Sequence, residues 1–373
     1  MVGVAPSPIR KLAVSRFDFW LALSAGLLLV VGLMSLYSID QGAGGAKHFG
    51  KQLLRLGIGV VPFSLCFWIR PSVLMRFANW LYAANVACLV LVLLVGSKGG
   101  GAQRWLNLGP IDFQPSEMSK VLTVITLAAF YGNRKDEVNR LRTFLLSIVH
   151  IAVPLALIFK QPHFGASLVI LMAWLGVSIA AGLKARYLVG SVAVAAALLG
   201  LAFTIPGVLK AYQLERVYAL LGAGTEKDKR FQISRAEMAI AAGGVTGAGY
   251  LKGEFKLPGF VPEQHTDFIF TVVGEEGGLF GCSLVLAGFG FFLFRIWKVM
   301  HEADEPFNRM VAAGIFSVLA FHAIVNLGMN LELLPVVGLW LPFMSYGGTA
   351  IWLCLASVGL LLNLGRRARP ILF

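Results

Sequence analysis

Apolar residues run along this chain in long blocks rather than in alternation. Ten blocks approach the ~20 apolar residues that cross a bilayer as a helix. They cover residues 17–38, 52–69, 73–95, 116–132, 144–160, 164–183, 187–208, 266–294, 308–330 and 341–364. A membrane barrel would show short segments of alternating polarity instead. The pattern therefore predicts an all-α polytopic integral membrane protein of about ten transmembrane helices. The first block is too long for a cleaved leader and lacks a small-x-small cleavage site, so it reads as a span. One domain is expected over residues 1–373, with a long extracytoplasmic loop between the seventh and eighth helices.

Two polar intervals exceed what a connection needs: 96–115 and 209–265. Long loops are often functional. Within the second, DKRFQISRAEMAIAA (228–242) reads as an amphipathic helix. Phe231, Ser234, Met238 and Ala241 share one face at helical spacing, while Lys229, Arg230 and Glu237 stay wet. Gly243 and Gly244 stop it. It is expected to lie on the outer membrane surface.

Composition supports the membrane class: 57% of residues are hydrophobic, 14% are charged, and mean hydropathy is +0.76. Charge sets the orientation. With the N-terminus inside, the cytoplasmic segments hold Arg10, Lys11, Arg16, Arg70, Arg76, Arg134, Lys135, Arg140, Arg142, Lys184, Arg186, Arg295, Lys298, Arg309, Arg366, Arg367 and Arg369. The short outer loops hold only Lys47, Lys51, Lys98, Arg104 and Lys160. The positive-inside rule places both termini in the cytoplasm. The net charge of +13 then marks a surface facing anionic lipid. No basic nucleic-acid-binding module is visible. Cys66, Cys88, Cys282 and Cys354 show no metal or disulfide spacing and read as packing residues.

Three constellations could carry chemistry. In VPEQHTDFIFTVVGEEGG, Asp267 fits a helix cap and equally a general base at a lipid-facing cleft. Glu275 and Glu276 follow about 12 Å along the helix and need a partner, for which Lys120 and Arg55 are candidates. In QPSEMSK, Glu117 and Lys120 share a helix face, either as a surface ion pair or, with Lys98, Arg104 and Trp105, as an anion site. In residues 326–350, prolines and glycines break the approach to the last span. Asn326, Ser345, Tyr346 and Thr349 could line a polar cavity there, or belong to a tightly packed kink.

The stretches GAQRWLNLG, FQPSEMSK, QPHFGAS, VPEQHTDFIF, LLPVVG and LPFMSYGGT, in this order, resemble the SEDS family of shape, elongation, division and sporulation proteins. The wording leans toward the family's elongation branch rather than its division branch. The resemblance implies a peptidoglycan glycosyltransferase of the bacterial cytoplasmic (inner) membrane. It would polymerise lipid II onto a lipid-linked glycan strand during cell elongation and cell-shape maintenance. It would work among membrane lipids beside a class B penicillin-binding protein, and without nucleic acid.

Asp267 is then the catalytic base, and Arg104, Glu117, Lys120, Arg216 and Ser345 form the substrate-binding set. A divalent cation, magnesium or manganese, is compatible with the pyrophosphate, although no residues have dedicated ligand spacing. Rival functions are a lipid II flippase and a non-catalytic scaffold for the transpeptidase. The chain departs from the family pattern at His163, Arg235-Ala236, Ala248, Gln264 and Thr349.

Overall fold

A computed structural model describes residues 17–42, 44–45, 47–99, 102–108, 111–161, 163–204, 227–256 and 259–366. The apolar blocks fold as helices: α1 Phe19–Gly42, α2 Lys47–Trp68, a short α3 Pro71–Arg76, α4 Ala78–Val95, α5 Pro115–Gly132, α6 Leu141–Lys160, α7 Phe164–Ala180, α8 Ala185–Thr204, α9 Lys227–Ala242, α10 Phe270–Glu302, α11 Pro306–Asn330 and α12 Gly348–Arg366. Among the described residues, six are long and apolar enough to cross a membrane: α1, α4, α6, α10, α11 and α12. Two expected helix starts move inward. Residues 266–269 form turns ahead of α10, and 341–347 are irregular ahead of α12, because Pro342 and Gly347 do not continue a helix. The interval after α4 is not plain loop. It carries an antiparallel sheet in the order β1 Ser97–Gly99, β2 Ala102–Leu108 and β3 Ile111–Phe113, with Ser97 opposite Trp105 and Leu106 opposite Phe113.

The helices divide by burial. Within their apolar windows, α12 is 89% and α11 78% buried, against 22% for α4 and 28% for α10. The first two, with α5 and α7, form the centre, and the last two turn broad apolar faces outward. Trp80, Leu94, Leu284 and Phe280 are exposed there, as lipid contact requires. Tight central contacts rest on small residues. Gly359 of α12 lies against the Phe63 carbonyl of α2, where a Cβ would come within 2.4 Å of that oxygen.

α10 breaks at Gly278, whose φ of 60° lies outside the right-handed region. A break at membrane depth frees backbone groups that lipid cannot satisfy. The segment after α9 supplies the partners. Ala248 N–H and Gly249 N–H donate to the Glu275 and Glu276 carbonyls (2.9 and 3.1 Å). Leu279 N–H and Phe280 N–H donate to the Gly244 and Val245 carbonyls (2.9 and 3.2 Å). This replaces the sequence-based pairing of Glu275 and Glu276 with Lys120 or Arg55. Glu276 instead accepts from Lys256 Nζ at 3.0 Å and from Ser38 Oγ, and Glu275 accepts from Phe255 N–H at 2.7 Å. Both cations first considered have other partners: Lys120 pairs with Glu117, and Arg55 stacks on Tyr346.

α9 leaves outward the apolar face read from its periodicity, and packs a second face on the protein. Ala236 and Ala239 are fully buried in a small cluster with Val261 and Phe268, and α9 packs on α10. Phe231, Ser234, Met238 and Ala241 form the exposed face. The burial surface is made of alanines because the backbones approach closely: a Cβ on Gly274 would meet Ile240 at 2.9 Å.

Candidate active site

Asp267 sits in a turn built around Glu263. That residue adopts φ 53°, and its carbonyl accepts the N–H groups of Thr266, Asp267 and Phe268 at 3.1, 3.0 and 3.4 Å. The turn is fixed from outside. Asn326 and Asn330, one turn apart on α11, both donate to the Asp267 carbonyl, at 2.8 and 3.1 Å. Ser345 Oγ–H donates to the Thr266 carbonyl, and Tyr346 N–H to the His265 carbonyl at 2.9 Å. The backbone of Asp267 is therefore held on several sides, while its half-buried carboxylate projects toward Gly338. Gly338 has φ +71°, and a Cβ there would lie 3.6 Å from Asp267 Oδ2. Burial pushes the Asp267 carboxyl up to about 6; the Glu263 carboxylate adds to the rise, and the Thr266 hydroxyl opposes it.

A second polar cluster lies beneath. Lys120 Nζ donates to both Glu117 oxygens at 2.7 Å and to His322 Nε2 at 3.0 Å. An ammonium has three donors, and all three are engaged. Because His322 Nε2 accepts from Lys120, its proton sits on Nδ1 and is donated to the Trp340 carbonyl at 3.2 Å. Trp340 Nε1–H donates to Glu117 Oε2 at 2.9 Å, and its ring stacks on His322 at 3.9 Å. Lys120 and His322 are fully buried.

The two clusters share one strut. His322, Asn326 and Asn330 recur at four-residue spacing on α11, so they share a face. Asn326 binds both the Asp267 carbonyl and the Leu339 carbonyl, at 2.8 and 2.6 Å. Residues 338–340 thus run between the Asp267 carboxylate and the Glu117–Lys120 pair. The sequence-based assignment of Lys120 to a substrate phosphate meets a physical obstacle here, since its ammonium is sealed and fully partnered.

Other expected site residues fall as follows. Arg104 lies on β2, and its Nε–H donates to the Gln161 carbonyl at 3.0 Å. His163, the residue before α7, lies 3.3 Å from Gln114 Nε2 and from Ser116 Oγ, at the start of α5. Arg216 lies outside the described residues. Ser345 is buried; its Oγ accepts from Leu341 N–H at 2.8 Å while donating to Thr266, so it braces the Asp267 turn. Thr349 Oγ1 accepts from Gln114 N–H at 2.9 Å. Gln264 is buried and donates to Thr271 Oγ1 at 3.1 Å. Arg235 lies over the rings of Phe231 and Phe260.

Several neighbours escaped sequence reasoning. Asp40, almost wholly buried, accepts from His48 Nδ1 and Phe49 N–H, each at 2.7 Å, and the His48 ring packs on His265 at 4.4 Å. His322 and Asn330 were also missed. Their four-residue spacing with Asn326 inside an apolar helix was the available signal. Among the described residues no three His, Cys, Asp or Glu side chains converge as metal ligands.

Comparison with known proteins places this geometry. The profile of the FtsW/RodA/SpoVE family, described as cell cycle protein, matches residues 14–370. A relative from Geobacter sp. (strain M18), named probable peptidoglycan glycosyltransferase FtsW, is 32% identical over 95% of this chain and 98% of its own. The peptidoglycan glycosyltransferase MrdB of Escherichia coli (strain K12) is 32% identical over 91% of this chain and 92% of its own. A chain from a solved peptidoglycan synthase complex, described as coordinating polymerization and crosslinking, superposes with a TM-score of 0.81 at 30% identity, covering 94% of this chain and 98% of that one. With a family match over nearly its whole length and relatives aligned from end to end, the chain belongs to the FtsW/RodA/SpoVE family of cell cycle proteins.

Proposed function

We propose that this protein is a peptidoglycan glycosyltransferase that polymerises lipid II, with Asp267 as the general base. The observation that carries the reading is a carboxylate fixed through its backbone by Asn326 and Asn330 and aimed over Gly338; its burial, which raises the carboxyl to about 6, supports the same reading. A base with that affinity is ionised at neutral pH yet holds a proton well enough to accept one in the transition state. The acceptor's GlcNAc 4-hydroxyl oxygen bonds to the anomeric carbon of the donor sugar. The bond from that carbon to the lipid pyrophosphate breaks, and the hydroxyl proton passes to Asp267. Arg104 and Arg216 are assigned to the pyrophosphate charge. Glu117 and Lys120 act as positioning residues: they hold Trp340 and His322, and through α11 and residues 338–340 they set the floor under Asp267. Ser345 braces the same turn.

The basic loops put both termini in the cytoplasm of a bacterial inner membrane, with Asp267 at the outer face. Ten spans and an outer loop over 209–265 follow from the same topology. The relatives' names and the neighbour in a polymerization and crosslinking complex support lipid II as substrate and a class B penicillin-binding protein as partner.

The test is polymerisation of lipid II by the purified protein with its transpeptidase partner. Asp267→Asn should lower the rate by roughly 100-fold or more, with an unchanged elution profile and no loss of unfolding temperature. Wild-type polymerisation by that variant would end the assignment.

A further inference from the structure

At the other end of α5, roughly 27 Å from its Pro115 start, a second site opens that the proposed chemistry does not use. It is a polar cleft of about 670 Å³ between the α3–α4 junction, the end of α5 and the middle of α6. Arg76, Asn79, Asn133, Arg134 and His150 line it, and no carboxylate does. The Arg134 guanidinium is preset: it lies over the Phe130 ring at 4.2 Å and donates one N–H to the Phe130 carbonyl at 3.1 Å, leaving further donors for a ligand. Neither Arg76 nor Arg134 is in an ion pair among the described residues. Thr126 Oγ1 lies 3.0 Å from His150 Nε2 at the wall.

One turn further along the same helices the lining changes character. Tyr82 follows Ala78 by four residues, and Val153 follows His150 by three, so each pair shares a helix face. Tyr82 donates to the His150 carbonyl at 2.9 Å and marks the boundary. Beyond it lies an apolar furrow of about 650 Å³ between α4 and α6, lined by Val86, Val90, Leu94 and Val153. A dibasic cleft that leads into a greasy furrow on an outward-facing helix pair matches one chemical class: a phosphate headgroup attached to an acyl chain.

The geometry points to this groove as a binding site for an anionic phospholipid, its headgroup phosphate held by Arg76 and Arg134 and one chain laid along α4 and α6. A guanidinium pair suits phosphate through directed N–H donors. The basic loops assign the cleft to the cytoplasmic side, where anionic lipid is plentiful.

Delipidated full-length protein in detergent is titrated with dioleoyl phosphatidylglycerol or dioleoyl phosphatidylcholine, and bound lipid is counted by native mass spectrometry. Wild type should favour the anionic lipid by about tenfold or more, and Arg76→Ala with Arg134→Ala should erase the preference. Val90→Trp, which fills the furrow, should weaken retention of the anionic lipid. Should the double variant not remain monodisperse, Asn79→Asp decides, because a carboxylate in the cleft must weaken the anionic lipid by about fivefold. Equal binding of the two lipids, or an undiminished preference in the arginine or aspartate variants, overturns the proposal. Inorganic phosphate or glycerol 1-phosphate binding as tightly as the lipid would assign the cleft to a free anion and overturn it too.

Discussion

Asp267 is tuned by its nearest residues, and that tuning has a measurable sign. Its carboxyl rises to about 6 through burial first and the Glu263 carboxylate second. A base that must be ionised works above that value, so polymerisation should fall on the acid side with about a tenfold loss per pH unit below 6. Glu263→Gln removes the neighbouring charge and should move this acid limb to lower pH while leaving the plateau. A limb that stays put in that variant would mean another group titrates. The same shift bears on stability. The folded protein binds the Asp267 proton more tightly than the unfolded chain, so this residue's contribution falls as pH rises from the ordinary carboxyl range through about 6. Asp267→Asn removes that cost, and its unfolding temperature at neutral pH should be no lower than wild type.

At the scale of elements, the break in α10 is the feature most exposed to test. Gly278 adopts φ 60°, and a Cβ there would come within 2.4 Å of Gly247 N and 2.7 Å of the Val245 carbonyl. Gly278→Val should destabilise by more than the ~1–3 kcal/mol of the backbone conformation alone, read as a large fall in unfolding temperature. Gly277→Ala is the matched control, since nothing lies within 4 Å of its added Cβ. Equal losses in both variants would deny the break its structural role. The sequence showed where helices lie but little of what this break needs. Hydropathy located the apolar blocks, because lipid enforces both length and polarity. The partner of Glu276 was illegible, because Lys256 reaches it from the far side of a loop whose pairing no local pattern encodes. The inward face of α9 was illegible for a related reason: periodicity marks the larger residues Phe231 and Met238, which stay exposed, whereas Ala236 and Ala239 are the residues packed inside.

The whole molecule joins two buried polar clusters through its central helices, and this arrangement bears on what Lys120 does. From sequence, a cation three residues from an acid beside a phosphate chemistry reads as a phosphate ligand. The fold closes Lys120 among Glu117, His322 and Trp340 and leaves no donor for a substrate. Removing one member of such a pair leaves an uncompensated charge in the protein centre, so Lys120→Met should cost about 3–5 kcal/mol. Replacing both members with neutral residues of similar shape is often close to neutral for stability. Glu117→Gln with Lys120→Met keeps an oxygen for Trp340 Nε1–H and should recover most of the unfolding temperature lost in the single variant. If the pair acts by positioning, polymerisation should recover with it, to within about tenfold of wild type, because Trp340 and residues 338–340 return to their places under Asp267. A double variant that is stable but inactive would hand Lys120 back to the substrate, and would require the central helices to open during the reaction so that its ammonium could reach a phosphate.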